Sequence, residues 1–442
     1  MKRPLWLLIF TSCCMALQAQ HTLDGCQALA RENYPLIKRY GLINKSTEYS
    51  VANAAKAYLP QVSLAIQATY QSDAAAFPGQ MTEIYEQFGI DLKGLNRDQY
   101  KVALEVNQTI WDGGLTGAQK DISAKEGNVS ARTVETELYA LRERINRLYF
   151  GILILDEQLR QNELLRHLLQ SNCQTVEACV RNGVALPGDL HAIKAELLSV
   201  SQQRIYLESS AGAYRRMLSM MTGKAISDAD TFEKPAVTDG SNPGRADLPF
   251  ADITDGGGGN RPELQLLEAQ VAQFEARKRM IMASTRPRLG VFAQGFYGNP
   301  GLNLFKDMTG DKWSWNYIAG LRMQWNFGAF YTQKGDMRKL SLAQQQVDNQ
   351  REVFLFNNGL QQIQQQSAVE TMRRIMAGDH EIISLRTAIR KSSEAKFAGG
   401  TITVNELLRD ITAESRAMLD RSLHELEWLK NIYELKYTVN SD

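Results

Sequence analysis

Four stretches of the chain alternate apolar and polar residues with a period of two. In the first, Val62, Leu64, Ile66, Ala68 and Tyr70 point one way, and Gln61, Ser63, Ala65, Gln67, Thr69 and Gln71 the other. In the second, Val102, Leu104, Val106 and Ile110 oppose Lys101, Glu105, Asn107 and Thr109. The fourth sets Tyr317, Leu321, Met323, Trp325 and Phe327 against Asn316, Arg322, Gln324 and Asn326. The third is weaker: Leu289, Val291 and Tyr297 oppose Arg288 and Gln294, but Phe292 and Phe296 break the pattern. Such alternation, with aromatics near the strand ends, suits either a membrane-spanning barrel or a half-buried soluble sheet.

The remaining pattern is helical. Leu23 to Tyr58 is expected to form one helix ending before Leu59-Pro60, because a residue preceding proline avoids the helical region. After Gly113-Gly114 no proline interrupts Thr116 to Arg181. Its apolar positions, Val134, Leu138, Leu141, Ile145, Leu148, Ile152, Leu155 and Leu159, alternate spacings of four and three, a heptad seam. At 1.5 Å per residue this helix spans roughly 100 Å, more than a compact domain holds. Asn182-Gly183 ends it and Pro187-Gly188-Asp189 turns the chain. Leu190, Ile193, Leu197, Val200, Leu207, Tyr214, Leu218 and Met221 carry the returning seam, with Arg204 as its one lapse. The pair is an antiparallel coiled-coil hairpin. A second hairpin follows the fourth strand: Tyr331 to Ala398, a turn at Gly399-Gly400, then a return through Val404, Leu407, Ile411, Glu414 and Met418 to about Tyr437. Its glutamines, Gln344 to Gln346, Gln361, Gln362 and Gln364 to Gln366, suit a solvated face or the lining of a wet tube.

The chain repeats itself. Pro60 and the strands after it correspond to Pro287 and its strands, and Gly113 corresponds to Gly328; each unit reads proline, strand, loop, strand, glycine, long helix. The expected organisation is therefore a signal peptide over 1–19, a first structural repeat over 20–222, a linker over 223–259 and a second repeat over 260–442. Lys2 and Arg3, the apolar run Leu5 to Phe10 and Ala19 give the signal its form; Cys13 is a weaker candidate for lipidation. The linker is rich in Gly, Asp and Pro and ends in Gly256 to Gly259, with neither a preceding strand nor a following Lys-Ser/Thr to make a phosphate loop. Asn260 as cap, Pro262 in the first turn and Glu263 open the next helix.

Composition narrows the function. The formal charge is +1, and losing the two charges of Lys2 and Arg3 takes it to −1, which argues against nucleic acid as a partner. Beyond the signal only Cys26, Cys173 and Cys179 remain, so no disulfide framework is implied. The histidines, at 21, 167, 191, 380 and 424, lack metal-ligand spacing and are expected on helix surfaces. No catalytic residue, metal site or cofactor is expected, and no segment approaches the ~20 apolar residues of a spanning helix.

Four strands cannot close a barrel, and an open sheet in lipid leaves unpaired backbone groups at several kcal/mol each. Other copies must complete it. Eight strands leave room only for side chains, so the polar faces favour twelve strands and three copies. Trp111, Trp313, Trp315 and Trp325 suit the membrane interfaces.

At this point the chain resembles the outer membrane efflux proteins typified by TolC. The resemblance covers essentially the whole mature chain. It rests on the duplicated unit, on Arg261-Pro262-Glu263-Leu264, and on two matching hairpin tips, Arg181 to Leu190 and Phe397 to Leu408. It implies a mainly α protein with membrane β: long coiled-coil hairpins plus four strands per chain in a trimeric 12-stranded barrel of a Gram-negative outer membrane, with a large periplasmic part. It implies a homotrimer acting as the passive exit duct of a tripartite efflux or secretion system, opened by a periplasmic adaptor and an inner-membrane exporter. The aperture would lie at the tips, around Gly183, Pro187, Asp189, Phe397, Gly400, Ile402, Glu406 and Arg409. Gly183 and Gly400 align, so Asp189 and Glu406 match, either as an acidic ring or as charges favouring the N-termini of the return helices. Arg409 stands where relatives carry a second acid, and Phe397 and Ile402 where they carry a tyrosine and an arginine, so apolar packing is expected to replace the polar latch. The competing reading is a periplasmic coiled-coil scaffold without a pore.

Overall fold

A computed structural model describes residues 20–90, 92, 94–183, 185–236, 260–310 and 312–440. The signal-like segment, Cys13 and the linker's Gly256 to Gly259 lie outside the described residues. The elements in order are β1 (Gln20–His21), α1 (Leu23–Asn33), α2 (Lys38–Ala55), β2 (Gln61–Tyr70), α3 (Gly79–Gln87), β3 (Asp98–Trp111), α4 (Leu115–Arg181), α5 (Pro187–Thr222), β4 (Thr231–Phe232), α6 (Pro262–Ser284), β5 (Arg288–Asn299), α7 (Leu304–Met308), β6 (Ser314–Gln324), α8 (Ala329–Ala398) and α9 (Val404–Val439). Helices α4 and α8 run unbroken for 67 and 70 residues. None of the described helices is long and apolar enough to cross a membrane.

The chain divides into two compact units, Met1–Tyr40, Thr133–Gln265 and Arg351–Asp442 forming one, and Gly41–Arg132 and Leu266–Gln350 the other. The second unit holds an antiparallel sheet of order β2-β3-β5-β6. Its central pairing, β3 on β5, joins a strand from each repeat, with Glu105 opposite Gln294 and Leu104 opposite Gly295. Behind the sheet in sequence, Asp112 accepts from the backbone N–H groups of Gly114 (2.9 Å) and Thr116 (2.6 Å) and starts α4. Gly113 adopts φ +71°, and a Cβ there would overlap Arg286, so glycine is required. Asn326 repeats the device, accepting from Gly328 N–H at 3.1 Å. Ion pairs from Arg277 to Glu126 and from Arg279 to Asp121 tie α6 to α4.

The first unit buries its heptad seams. Leu141, Ile145, Tyr149, Phe150 and Ile152 of α4 pack with Leu218 of α5, Leu426 and Leu429 of α9, and Leu23, Cys26 and Ala30 of α1. Each buried Leu, Ile or Phe among them contributes roughly 1.5–3 kcal/mol on burial. The lapse at Arg204 is a cross-helix tie: its Nη1 lies 3.0 Å from Glu163 and its Nε 2.8 Å from Glu208. Glu414, an acid within an apolar seam, is buried and pairs with Arg390 of α8.

Several expectations are corrected. The helix over Leu23–Tyr58 is interrupted, because Pro35 has no N–H to continue α1 and starts a 3-10 turn over Pro35–Ile37. The residue before α6 is Arg261, not Asn260, whose carbonyl instead accepts from Asn440. His21 is not a surface helix residue: it lies in β1, buried and stacked on Phe232 at 5.2 Å. Within the linker, β4 pairs in parallel with β1, and the Tyr149 hydroxyl clamps both by donating to the carbonyls of His21 (2.6 Å) and Glu233 (2.7 Å).

Candidate functional site

The sheet has two chemically opposed faces. Cross-strand register sets Leu64, Leu104 and Tyr317 in one row and Ile66, Val102, Tyr297 and Trp315 in the next. Much of this face is bare in the single chain: Ile66 is 75% exposed, Leu321 72% and Tyr317 82%. A continuous exposed apolar surface of this kind marks a lipid or protein contact. A bulge between Thr109 and Trp111 breaks the alternation at Ile110 and brings Trp111 opposite Leu289, on the apolar side.

The opposite face carries Gln61, Ser63, Gln67, Lys101, Glu105, Asn107, Gln294, Asn316 and Arg322. Phe292 and Phe296 belong to it, and each holds a cation. Lys101 Nζ sits 4.2 Å from the Phe296 ring centre and donates to Gln294 at 3.2 Å. Arg322 lies 4.4 Å over Phe292 and 4.0 Å from Glu105. The two phenylalanines that weaken the third strand's pattern are therefore platforms for neighbouring cations.

The four tryptophans fall at opposite ends of the sheet. Trp313 stacks on Tyr297 (5.2 Å) and Tyr100 (6.0 Å), and Trp315 packs on Tyr297 at 5.1 Å. At the other end Trp325 packs on Phe327 and donates its indole N–H to the Thr285 carbonyl at 3.0 Å, and Trp111 is half exposed beside Leu289.

The tips lie in the other unit. Gly183 (φ +72°) and Gly400 (φ +68°) each take the left-handed conformation that ends a long helix. Pro187 opens α5, and Asp189 accepts from the Leu186 N–H at 3.0 Å. Leu186 has no side-chain acceptor, so only half of a capping box forms. At the second tip the box is complete: Glu406 accepts from the Thr403 N–H (2.9 Å), and Thr403 Oγ1 accepts from the Glu406 N–H (3.3 Å). Within one copy both acids thus act as helix-start residues, Asp189 partly and Glu406 largely exposed. Arg409 is exposed, 3.7 Å from Asp410, and Asp410 accepts from Ser393 at 2.6 Å.

Apolar packing joins the two tips. One cluster unites Leu169, Val200, Leu407 and Ile411 with Phe397 and Ile402; the next unites Val176, Ile193 and Val404 with Phe397, Leu190 and Leu408. Phe397 belongs to both. What sequence reading missed here is the pair of Arg390 with the buried Glu414, about two to three turns back from the tip; the acid at a seam position was the available signal.

Residues 28–224 match the family model described as outer membrane efflux protein. No curated protein matches the chain. Among solved structures, the outer-membrane channel OprN is 14% identical, with a TM-score of 0.67 over 95% of this chain and 90% of its own. CusC, described as forming a transmembrane channel, is 10% identical, with a TM-score of 0.68 over 96% and 93%. The outer membrane protein VceC of Vibrio cholerae is 13% identical, with a TM-score of 0.67 over 95% and 96%. At these identities the likeness is one of fold, and it extends along nearly the whole chain. The resemblance drawn from the duplicated unit and the paired tips is therefore borne out: residues 28–224 match the outer membrane efflux protein family model, and the fold along nearly the whole chain is like that of the solved outer-membrane channels.

Proposed function

We propose that this chain is the outer membrane channel of an efflux or secretion system, a homotrimeric passive exit duct. The observation that carries this reading is the open sheet. Its outer strands, β2 and β6, have no further strand beside them among the described residues, and its apolar face is bare. In lipid such edges must be paired, and three copies supply twelve strands around a lumen lined by the polar face. The long hairpins then belong to the periplasm of a Gram-negative cell, with tips that receive an adaptor protein and, through it, an inner-membrane exporter. The chain's own chemistry is passage rather than conversion, so the energy comes from that partner.

Purification in mild detergent tests the assembly, and outer membrane fractionation tests the location. The expected particle is a trimer from the outer membrane that conducts ions in planar bilayers. Deletion of the gene is expected to leave cells retaining exporter substrates or sensitive to toxic amphiphiles. A monodisperse monomer soluble without detergent, together with unchanged export and sensitivity, would instead support a periplasmic scaffold.

A further inference from the structure

The described residues of the two loops at the Tyr70 end of the sheet combine backbone hydrogen bonds with exposed apolar side chains. The β2–β3 loop is closed at its base by Gln71 N–H to the Arg97 carbonyl (3.0 Å) and Leu95 N–H to the Ala75 carbonyl (2.9 Å). It exposes Ile84 (55%), Tyr85 and Phe88 (77%) on and beside α3. The β5–β6 loop is pinned by Asp307, which is buried and accepts from Gly301 N–H at 2.7 Å, and it exposes Leu302, Leu304 and Phe305 (70%). The loops meet within one chain, Phe77 lying 6.0 Å from Phe305. Loops fixed this way cannot hide their apolar groups by collapse, so another surface must cover them.

The direction of the β5–β6 loop selects that surface. Asn316 is on the polar face of the sheet, and its Oδ1 accepts from Leu302 N–H at 3.1 Å. Gly301 sits so close over Ser314 and Asn316 that a Cβ would overlap them. The loop therefore folds over the polar face, away from the apolar face that carries Leu64, Tyr317 and Leu321. We infer that Phe88, Ile84 and Phe305 of neighbouring copies pack on one another and form an apolar collar that narrows the outer mouth. The inference rests on the trimeric channel proposed above. In that arrangement β2 of one copy lies beside β6 of the next, so the loop leaving β2 faces the loop entering β6. The occupant of the patch is then a second copy of this chain.

The test places a single cysteine at Phe88→Cys in intact cells and applies a short, membrane-impermeant bis-maleimide. A residue crosslinking to its own counterpart can do so only between copies. A band of two-chain mass, absent from the parent protein, is expected, since one added cysteine per copy allows each copy a single link. The F88S/F305S double variant should conduct about two-fold more than the parent in planar bilayers at the same trimer yield. If trimers form but F88C does not crosslink and F88S/F305S conducts like the parent, the collar is overturned while the channel stands. Labelling of F88C by a photoreactive lipid instead would assign the patch to the membrane and equally overturn it. If no trimer is recovered from the parent, the channel reading itself fails.

Discussion

Arg261 Nη1 donates to the Thr438 carbonyl oxygen at 3.1 Å, tying the start of α6 to the end of α9 across 177 positions of sequence. The same nitrogen reaches the Tyr437 carbonyl at 3.1 Å, and the guanidinium pairs with Glu263 at 2.6 Å and lies 4.9 Å from the Tyr139 ring centre. The last carbonyls of a helix have no partner within it, so this buried cation satisfies α9 from outside.

Replacing Arg261 with methionine should therefore destabilise the protein by about 2–3 kcal/mol, because buried carbonyls and Glu263 lose their donor. Arg261→Lys should recover only part of this, since an ammonium cannot form the same fork or stack as a plane. Thermal melts in detergent, followed by far-UV circular dichroism, would read both. A methionine variant as stable as the parent refutes the clip.

Asp112 gives a pH prediction. Burial favours its neutral form, but hydrogen bonds from Thr116, Tyr58 and Gly114 outweigh that and hold the carboxyl at about 2. Its pKa is lower folded than unfolded, so its contribution is complete above the unfolded value near 3.8 and is lost as pH falls toward 2. Asp112→Ala should cost about 1–2 kcal/mol at neutral pH. Denaturation midpoints measured between pH 5 and 2 should then fall less steeply for the variant than for the parent. Parallel slopes would show that the carboxylate contributes nothing specific.

The strands, the long helices and the glycine turns were legible because each rests on a local rule: period two, heptad spacing, or a left-handed residue that only glycine adopts cheaply. The break at Pro35 was missed because helical periodicity continues on both sides of it. The β1–β4 pair was not legible, since two-residue strands have no period, and their clamp, Tyr149, lies 128 positions from His21. Phe292 and Phe296 looked like defects because their value lies across the sheet, under Arg322 and Lys101. At the tips the acids were legible as residue types. Their hydrogen bonds show helix capping in one copy, while an aperture ring is a property of three.

That leaves a separable question about charge. Asp189→Asn with Glu406→Gln keeps an acceptor for Leu186 and Thr403 N–H but removes six negative charges from a trimeric opening. If the acids ring the aperture, cation preference in planar bilayers should fall while stability stays within about 1 kcal/mol of the parent. Unchanged ion selectivity would leave both residues with the capping role alone.

Phe397 should govern how firmly the tip stays shut. It packs with Leu169, Val200, Leu407 and Ile411 on one side and with Val176, Ile193 and Val404 on the other, so it bridges both hairpins of the chain. Around it Ile402 joins the first cluster and Gly400 leaves the turn without a side chain. An apolar seam of this kind resists opening through the area it would expose, about 25 cal/mol per Å². It is also insensitive to salt, unlike an ionic latch. Phe397→Ala should raise single-channel conductance in the absence of any partner, and Phe397→Leu should raise it less. Conductance of the parent should change with ionic strength only as the bulk solution does. A Phe397→Ala channel that conducts like the parent, or a parent that opens abruptly at high salt, would show that polar contacts rather than this packing close the tip. Arg390–Glu414 would then be the pair to examine first, since it bridges α8 and α9 behind the tip and its carboxylate is buried.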